Sequence, residues 1–162
     1  MLSRREVLRF PLPVPSRLAV VGAEFHLASY MRAFEADDIR GLVRYAPDAM
    51  AVPVDVALRL ADRKLRRLFE LPSLRLAIVV FSSAEPDGAL EMHHRDLLWK
   101  AFGLPVFEQL RGEDGRVIAR ECEVHDGLHV DAQPLAGEHC DCGLETARMR
   151  PRMAVRTRAA AA

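Results

Sequence analysis

The sequence predicts an α/β fold built on a mostly parallel sheet flanked by helices, with a small antiparallel section towards the C-terminus. Three observations predict it. Strand-like and helix-like apolar periods alternate between residue 17 and about residue 103. One run, Leu74 to Phe81, is apolar almost throughout, as a strand covered on both faces of a parallel sheet must be. Beyond Gly103 the pattern shortens to β-like pieces separated by Asp-Gly turns.

Taken in order, Pro11, Pro13 and Pro15 make residues 1–16 an extended lead-in that cannot be helix or central strand. Arg17 to Val21, closed by Gly22, reads as a buried strand, and Glu24 to Glu35 as a helix with Leu27, Met31 and Phe34 on one face. Val54 to Glu70 reads as a second helix, stopped by Pro72. Ala57, Ala61, Leu65 and Leu68 share its apolar face, with Asp55, Arg59, Asp62, Arg63, Arg66 and Arg67 opposite. Leu74 to Phe81 is the expected central strand. Ala89 to Ala101 is helical again, with Leu90, Leu97 and Leu98 inward and Gly103 as the stop. Val106 to Leu110, Arg116 to Glu121 and Leu128 to Asp131 follow as short strands, with turns at Asp114-Gly115 and Asp126-Gly127. One domain over 17–150 is expected, with 151–162 a loose Arg/Ala tail.

Composition narrows the function. Half of the 162 residues are apolar and 28% charged, which places the chain among globular proteins rather than disordered ones. Lys plus Arg balances Asp plus Glu at 23 each, so there is no electrostatic footprint for nucleic acid or an anionic membrane. The prolines break the N-terminal apolar stretch before signal-peptide length. No run approaches the roughly 20 residues of a membrane span, so a cytoplasmic protein is expected. Three cysteines, two of them spaced Cys-x-Cys, suit reduced thiols or metal ligands better than a disulfide framework.

Those cysteines carry the most specific local pattern. Cys122 and His129 precede Cys140-Asp141-Cys142-Gly143, and three thiols with one imidazole can close a tetrahedral zinc shell. Four protein ligands leave no open position for water, so such a site is structural. His125 and His139 compete with His129 as the nitrogen ligand. The alternative is three small buried thiols beside solvated histidines. Other groupings point to solvated surface: His93-His94 on a helix diverge by about 100°, and the basic residues from Arg59 to Arg67 are interleaved with acids. Ser82-Ser83 has no paired histidine at a nucleophile-motif spacing.

One ordered series stands out. Leu74 to Phe81 leads into Ser82-Ser83-Ala84-Glu85-Pro86, then a helix ending Leu98-Trp99-Lys100-Ala101-Phe102-Gly103. Pro105-Val106-Phe107 comes next, then Glu121-Cys122-Glu123 and His125-Asp126-Gly127-Leu128-His129-Val130. Over about residues 45–150 this resembles the adenylate-forming core of phenylacetate-CoA ligases and their relatives. The resemblance implies that Cys122, His129, Cys140 and Cys142 form a structural zinc site. It also implies that Ala84, Glu85 and Pro86 border an adenine, so that ATP or AMP is the implied nucleotide. Departures from the family limit what it implies. No Ser/Thr/Gly-rich phosphate loop is present, and Leu110-Arg111-Gly112-Glu113-Asp114 stands where the family has Tyr-Gly-x-Thr-Glu. The family's mobile C-terminal domain is expected to be missing.

The expected function is therefore that of a reduced, stand-alone relative of AMP-forming acyl-CoA ligases, acting as an accessory or interaction module. The alternative is a subunit of a split acid–CoA ligase whose partner brings the phosphate loop and the mobile domain. A shortened ligase sheet has an edge to cover, so a homodimer or a ligase-like partner subunit is expected, and neither nucleic acid nor membrane.

Overall fold

The computed structural model describes residues 8–130, 140–144 and 148–149. The 151–162 tail and His139 lie outside the described residues. Eight strands form one sheet in the order β2-β1-β3-β4-β5-β6-β7-β8. They are β1 (Leu18–Val21), β2 (Met31–Phe34), β3 (Ala49–Pro53), β4 (Ile78–Ser83), β5 (Val106–Arg111), β6 (Val117–Glu121), β7 (Leu128–Val130) and β8 (Arg148–Met149). The first five run parallel and the last four pairings beyond β4 begin with β4·β5 parallel and turn antiparallel from β5 onward. The expected α/β class, parallel core and antiparallel end are all present.

Helices α1 (Ile39–Tyr45), α2 (Val54–Leu65) and α3 (Met92–Phe102) pack on one face of the sheet. Strand alternation sends Ala19, Val21, Met50, Val52, Ile78 and Val80 to that face, where they meet Leu42, Leu60 and Leu98. The other set, Leu18, Val20, Ala49, Ala51, Val79 and Phe81, faces the opposite way. Among the described residues no helix lies on it, and Leu8 and Phe25 cover it. The proline-rich lead-in thus acts as a strap. Asp48 accepts the Ser16 and Arg17 N–H groups at 3.0 Å each, and the buried Gln109 amide donates to the Arg9 carbonyl at 2.7 Å.

Three expectations are corrected. Residues 31–34 are strand β2 instead of the end of a helix over Glu24 to Glu35. Leu18 N–H donates to Tyr30 C=O at 2.8 Å and Gly22 N–H to Phe34 C=O at 2.9 Å, so this segment completes the open edge of β1. An apolar spacing of three serves a strand as well as a helix: Met31 packs on the strap side and Phe34 on the helix side, because an odd step crosses the sheet. Leu27, which a helix would have buried, is 40% exposed.

The second correction concerns α2, which ends at Leu65, well before Pro72. Arg66 leaves the helical range and Arg67 takes a left-handed φ of 59°, turning the chain away. The buried stripe is Val54, Val56, Ala57, Leu60 and Ala61, and Leu68 is 64% exposed. The central strand also begins later than its apolar run, at Ile78, because the Arg75 and Leu76 N–H groups are taken by the Asp48 carbonyl. Helix α3 stands where a helix was expected but starts at Met92 instead of Ala89, with Leu98 as its buried residue. Glu91 and His94 close a capping box at its start, and Gly103 caps its end at φ 65°.

Candidate metal centre and the adjoining cleft

Strand β6 ends at Glu121, so Cys122 is the first residue of the turn into β7. The His125 N–H closes that turn on the Cys122 carbonyl at 3.1 Å, with His125 at φ 56° and Gly127 at φ 83°. The return places His129 opposite Arg120 in the middle of β7. A second turn, with Gly143 N–H donating to Cys140 C=O at 2.9 Å and Gly143 at φ 81°, presents Cys140 and Cys142 to the same point. Glycine is required there because a side chain is strained in that backbone region.

The four donor atoms of Cys122, His129, Cys140 and Cys142 all lie within 4.8 Å of one another. Cys122 Sγ is 3.7 Å from Cys140 Sγ, and Cys142 Sγ is 3.4 Å from His129 Nε2. A tetrahedral zinc ion, with bonds of roughly 2.3 Å to sulfur and about 2.0–2.1 Å to nitrogen, sets these edges near about 3.8 and 3.6 Å. The spacing is far beyond a disulfide, and all three thiols are free. Cys122, His129 and Cys140 are buried, and Cys142 is half-buried at the rim. Burial pushes the Cys122 thiol up to about 12. Cys140 is held below the ordinary thiol value, first by the hydrogen bond from the Cys142 backbone N–H. Donor type, spacing and burial together fit a thiolate-binding cation; carboxylate is absent from the set.

His125 is not part of the group. Its Nδ1 lies 3.0 Å from Glu121 Oε1, and its ring stacks on Phe107 with centroids 4.7 Å apart. Of the competing histidines within the described residues, His129 is the one that converges with the thiols.

A buried polar network, not anticipated from the sequence, roots this turn in the sheet. The Arg95 guanidinium on α3 donates to Glu108 Oε2 at 3.1 Å, to Glu121 Oε2 at 3.0 Å and to the Val106 carbonyl at 3.2 Å. Glu121 also accepts the Glu108 N–H at 2.8 Å, and Ser82 Oγ donates to Glu108 Oε1 at 2.5 Å. Burial raises the Glu108 pKa, against the lowering influence of Ser82 and Arg95. The available signal was a carboxylate inside an otherwise apolar strand, at Glu108 in Val-Phe-Glu-Gln-Leu-Arg.

Ser82 also lines a cleft of about 290 Å³ at the carboxyl ends of β3, β4 and β5. This is where open parallel sheets place ligands. Asp55, Ser83, Asp87 and Arg111 contribute the other polar side chains. Arg111 Nε donates to the Gly115 carbonyl at 2.6 Å, and its guanidinium lies 5.0 Å above the Phe25 ring. The Ala84-Glu85-Pro86 turn leaves the same end of β4, with Ala84 and Glu85 exposed and the 3₁₀ turn Pro86–Gly88 after it. Its neighbours Ser83 and Asp87, on either side, form the cleft wall.

No protein-family model matches the sequence, and no curated protein matches it. Solved structures do. The chain is similar to 2-hydroxyisobutyryl-CoA ligase, seen in an open conformation with 2-HIB-AMP and CoA, with a TM-score of 0.51 and 19% identity. The sheet and helices share the fold of part of an adenylate-forming CoA ligase. That match covers 72% of this chain but only 30% of the ligase. VinN is also similar, with a TM-score of 0.48 and 18% identity, over 66% of this chain and 29% of VinN. Among the described residues no helix is long and apolar enough to cross a membrane.

Proposed function

We propose that the chain is a relative of AMP-forming acyl-CoA ligases whose Cys122, His129, Cys140 and Cys142 hold a structural zinc ion, and that it serves as an accessory or interaction module. The observation that carries this reading is the convergence of three thiols and one imidazole on the antiparallel extension of a ligase-like sheet. When bound, the ion supplies a cross-link between the β6–β7 turn and the Cys140–Cys142 turn. It offers no open coordination position for catalysis. Within these 162 residues no segment has the composition of a phosphate loop, and the resemblance sets Arg111 against the family's adenine-stacking aromatic. The chain's own residues therefore give ATP phosphates no cradle.

The test is a pair of measurements on natively purified protein. Metal analysis should return one zinc per chain, and ATP–pyrophosphate exchange with aryl and acyl acids should be absent. Exchange by the purified chain alone would overturn the accessory role.

The cleft beside Ser82 and Ala84-Glu85-Pro86 favours a second reading, in which a ligase-like partner subunit completes the site and the pair activates a carboxylate with ATP before forming a CoA thioester. Glu85 and its neighbours would then border the adenine. In both readings the sheet recruits a second chain, a homodimer partner or that ligase-like subunit, because among the described residues β2 is an edge strand with no strand on its outer side. Light scattering should give at least twice the chain mass for the isolated or co-purified protein; a clean monomer with no co-purifying partner would count against it.

A further inference from the structure

We propose that the outer edge of β2 is a self-pairing interface, at which two copies of this chain join antiparallel about a two-fold axis at Ala33. This rests on the recruitment of a second chain proposed above; it names the partner as a second copy and fixes the register.

Alternate residues of a strand turn their backbone N–H and C=O groups to opposite edges. Leu18 N–H reaches the Tyr30 carbonyl and Gly22 N–H the Phe34 carbonyl, so Tyr30, Arg32 and Phe34 address β1, while Met31, Ala33 and Glu35 address the outer edge. Some outward groups are already taken. The Met31 N–H donates to Ala28 C=O at 2.9 Å, and Glu35 C=O accepts from the Asp38 N–H at 3.1 Å. Among the described residues no backbone partner is seen for the rest, which are the Met31 carbonyl, both groups of Ala33 and the Glu35 N–H.

That remainder is self-complementary, as a two-fold contact requires. With Ala33 opposite the partner's Ala33, the two exchange N–H and C=O, and each Glu35 N–H meets the partner's Met31 carbonyl. The ladder stops where the flanking turns have spent the Met31 N–H and the Glu35 carbonyl. Sliding it by one hydrogen-bonded step would set an Ala33 group against one of those spent groups. Side chains agree with this register. Ala33 is exposed, small and uncharged, so it does nothing to repel a second strand. Arg32 is drawn back over its own Phe34 and Tyr45 rings, with Cζ 5.5 and 5.8 Å from their centroids. The pairing sets Arg32 opposite the partner's Phe34, in the position where cross-strand side chains approach most closely, which brings a second ring to the same cation.

The test is sedimentation velocity over a concentration series for the parent chain, Ala33→Pro, Ala33→Lys, Ala33→Glu and an equimolar mixture of the last two. The parent should be a dimer. Ala33→Pro removes an N–H that β1 does not use, and should weaken the dimer roughly 10- to 100-fold by deleting one bond from each copy. Ala33→Lys and Ala33→Glu set like charges face to face and should each weaken it about a few-fold, whereas their mixture should regain at least the parent's affinity. That recovery belongs to a two-fold pair centred on Ala33, and damage to the fold would not produce it. Loss in both charge variants without recovery in the mixture overturns the register. A dimer indifferent to all three substitutions overturns this interface and leaves recruitment to another surface, and a parent that is monomeric alone yet binds a ligase-like subunit overturns the second copy. A monomer with no co-purifying partner sinks the recruitment reading itself. Far-UV circular dichroism on each variant establishes that the sheet is retained.

Discussion

Stripping the proposed zinc, or replacing Cys140 with Ser, is expected to unfold the antiparallel end of the sheet while the helix-covered half survives. The reason is the distribution of apolar contact. Among the described residues both hydrophobic clusters end at Val117, and from there on the sheet consists of the five residues of β6, the three of β7 and the two of β8. Such short pieces bury too little to offset the entropy of ordering them. A structural zinc site can contribute on the order of 10 kcal/mol of apparent binding energy. Even a metal present at 100 times its dissociation constant stabilises the bound form by about 2.7 kcal/mol, which at this chain length corresponds to roughly 10 °C in Tm. Hydrogen exchange should show protection lost over Val117–Val130 and kept over Leu18–Ser83. A Tm unmoved by a strong chelator would contradict the cross-linking role.

Arg95→Leu is expected to cost about 3–5 kcal/mol, the range for breaking a buried ion pair, measured as a lower midpoint in urea. Among the described residues Arg95 is the one cation bonded to both Glu108 and Glu121, whose side chains are 9% and 6% exposed. Truncating it strands two carboxylates inside the sheet. The pH response gives the mechanism a separate signature. The Glu108 pKa is raised in the folded protein, so between its unfolded and folded values the native state binds more protons than the unfolded state. Its contribution is then fully present below the unfolded glutamate value and is lost as pH rises through the folded one. Arg95 opposes that rise, so its removal should steepen the loss and make acidification partly restore the variant. A variant equally destabilised at every pH between 4 and 7 would point to lost packing alone.

What could be read from the sequence divides along physical lines. The four converging donors were legible because metal chemistry restricts residue type more than it restricts position. The parallel core was legible because β4 is covered on both faces and so apolar throughout. Met31 and Phe34 misled because a step of three is compatible with either period, and the deciding fact, an unpaired edge on β1 awaiting a partner, is tertiary. Leu65 and Leu68 misled because their helix was ended by the backbone turn at Arg67, for which no glycine or proline gave warning. Glu108, Glu121 and Arg95 are distant in sequence, and only strand order makes them neighbours. His125 against His129 could not be decided by spacing, since a carboxylate next to Cys122 takes the former.

The strap has a consequence for how the chain is made. Its carbonyl at Arg9 is held by Gln109, exactly one hundred positions downstream. A growing polypeptide that has emerged only through β4 can fasten the strap at Ser16 and Arg17 on Asp48, but its outer end at Arg9 is held only once β5 leaves the ribosome. At roughly 5–20 residues per second, that interval lasts some seconds, long enough for a holding chaperone to engage the nascent protein.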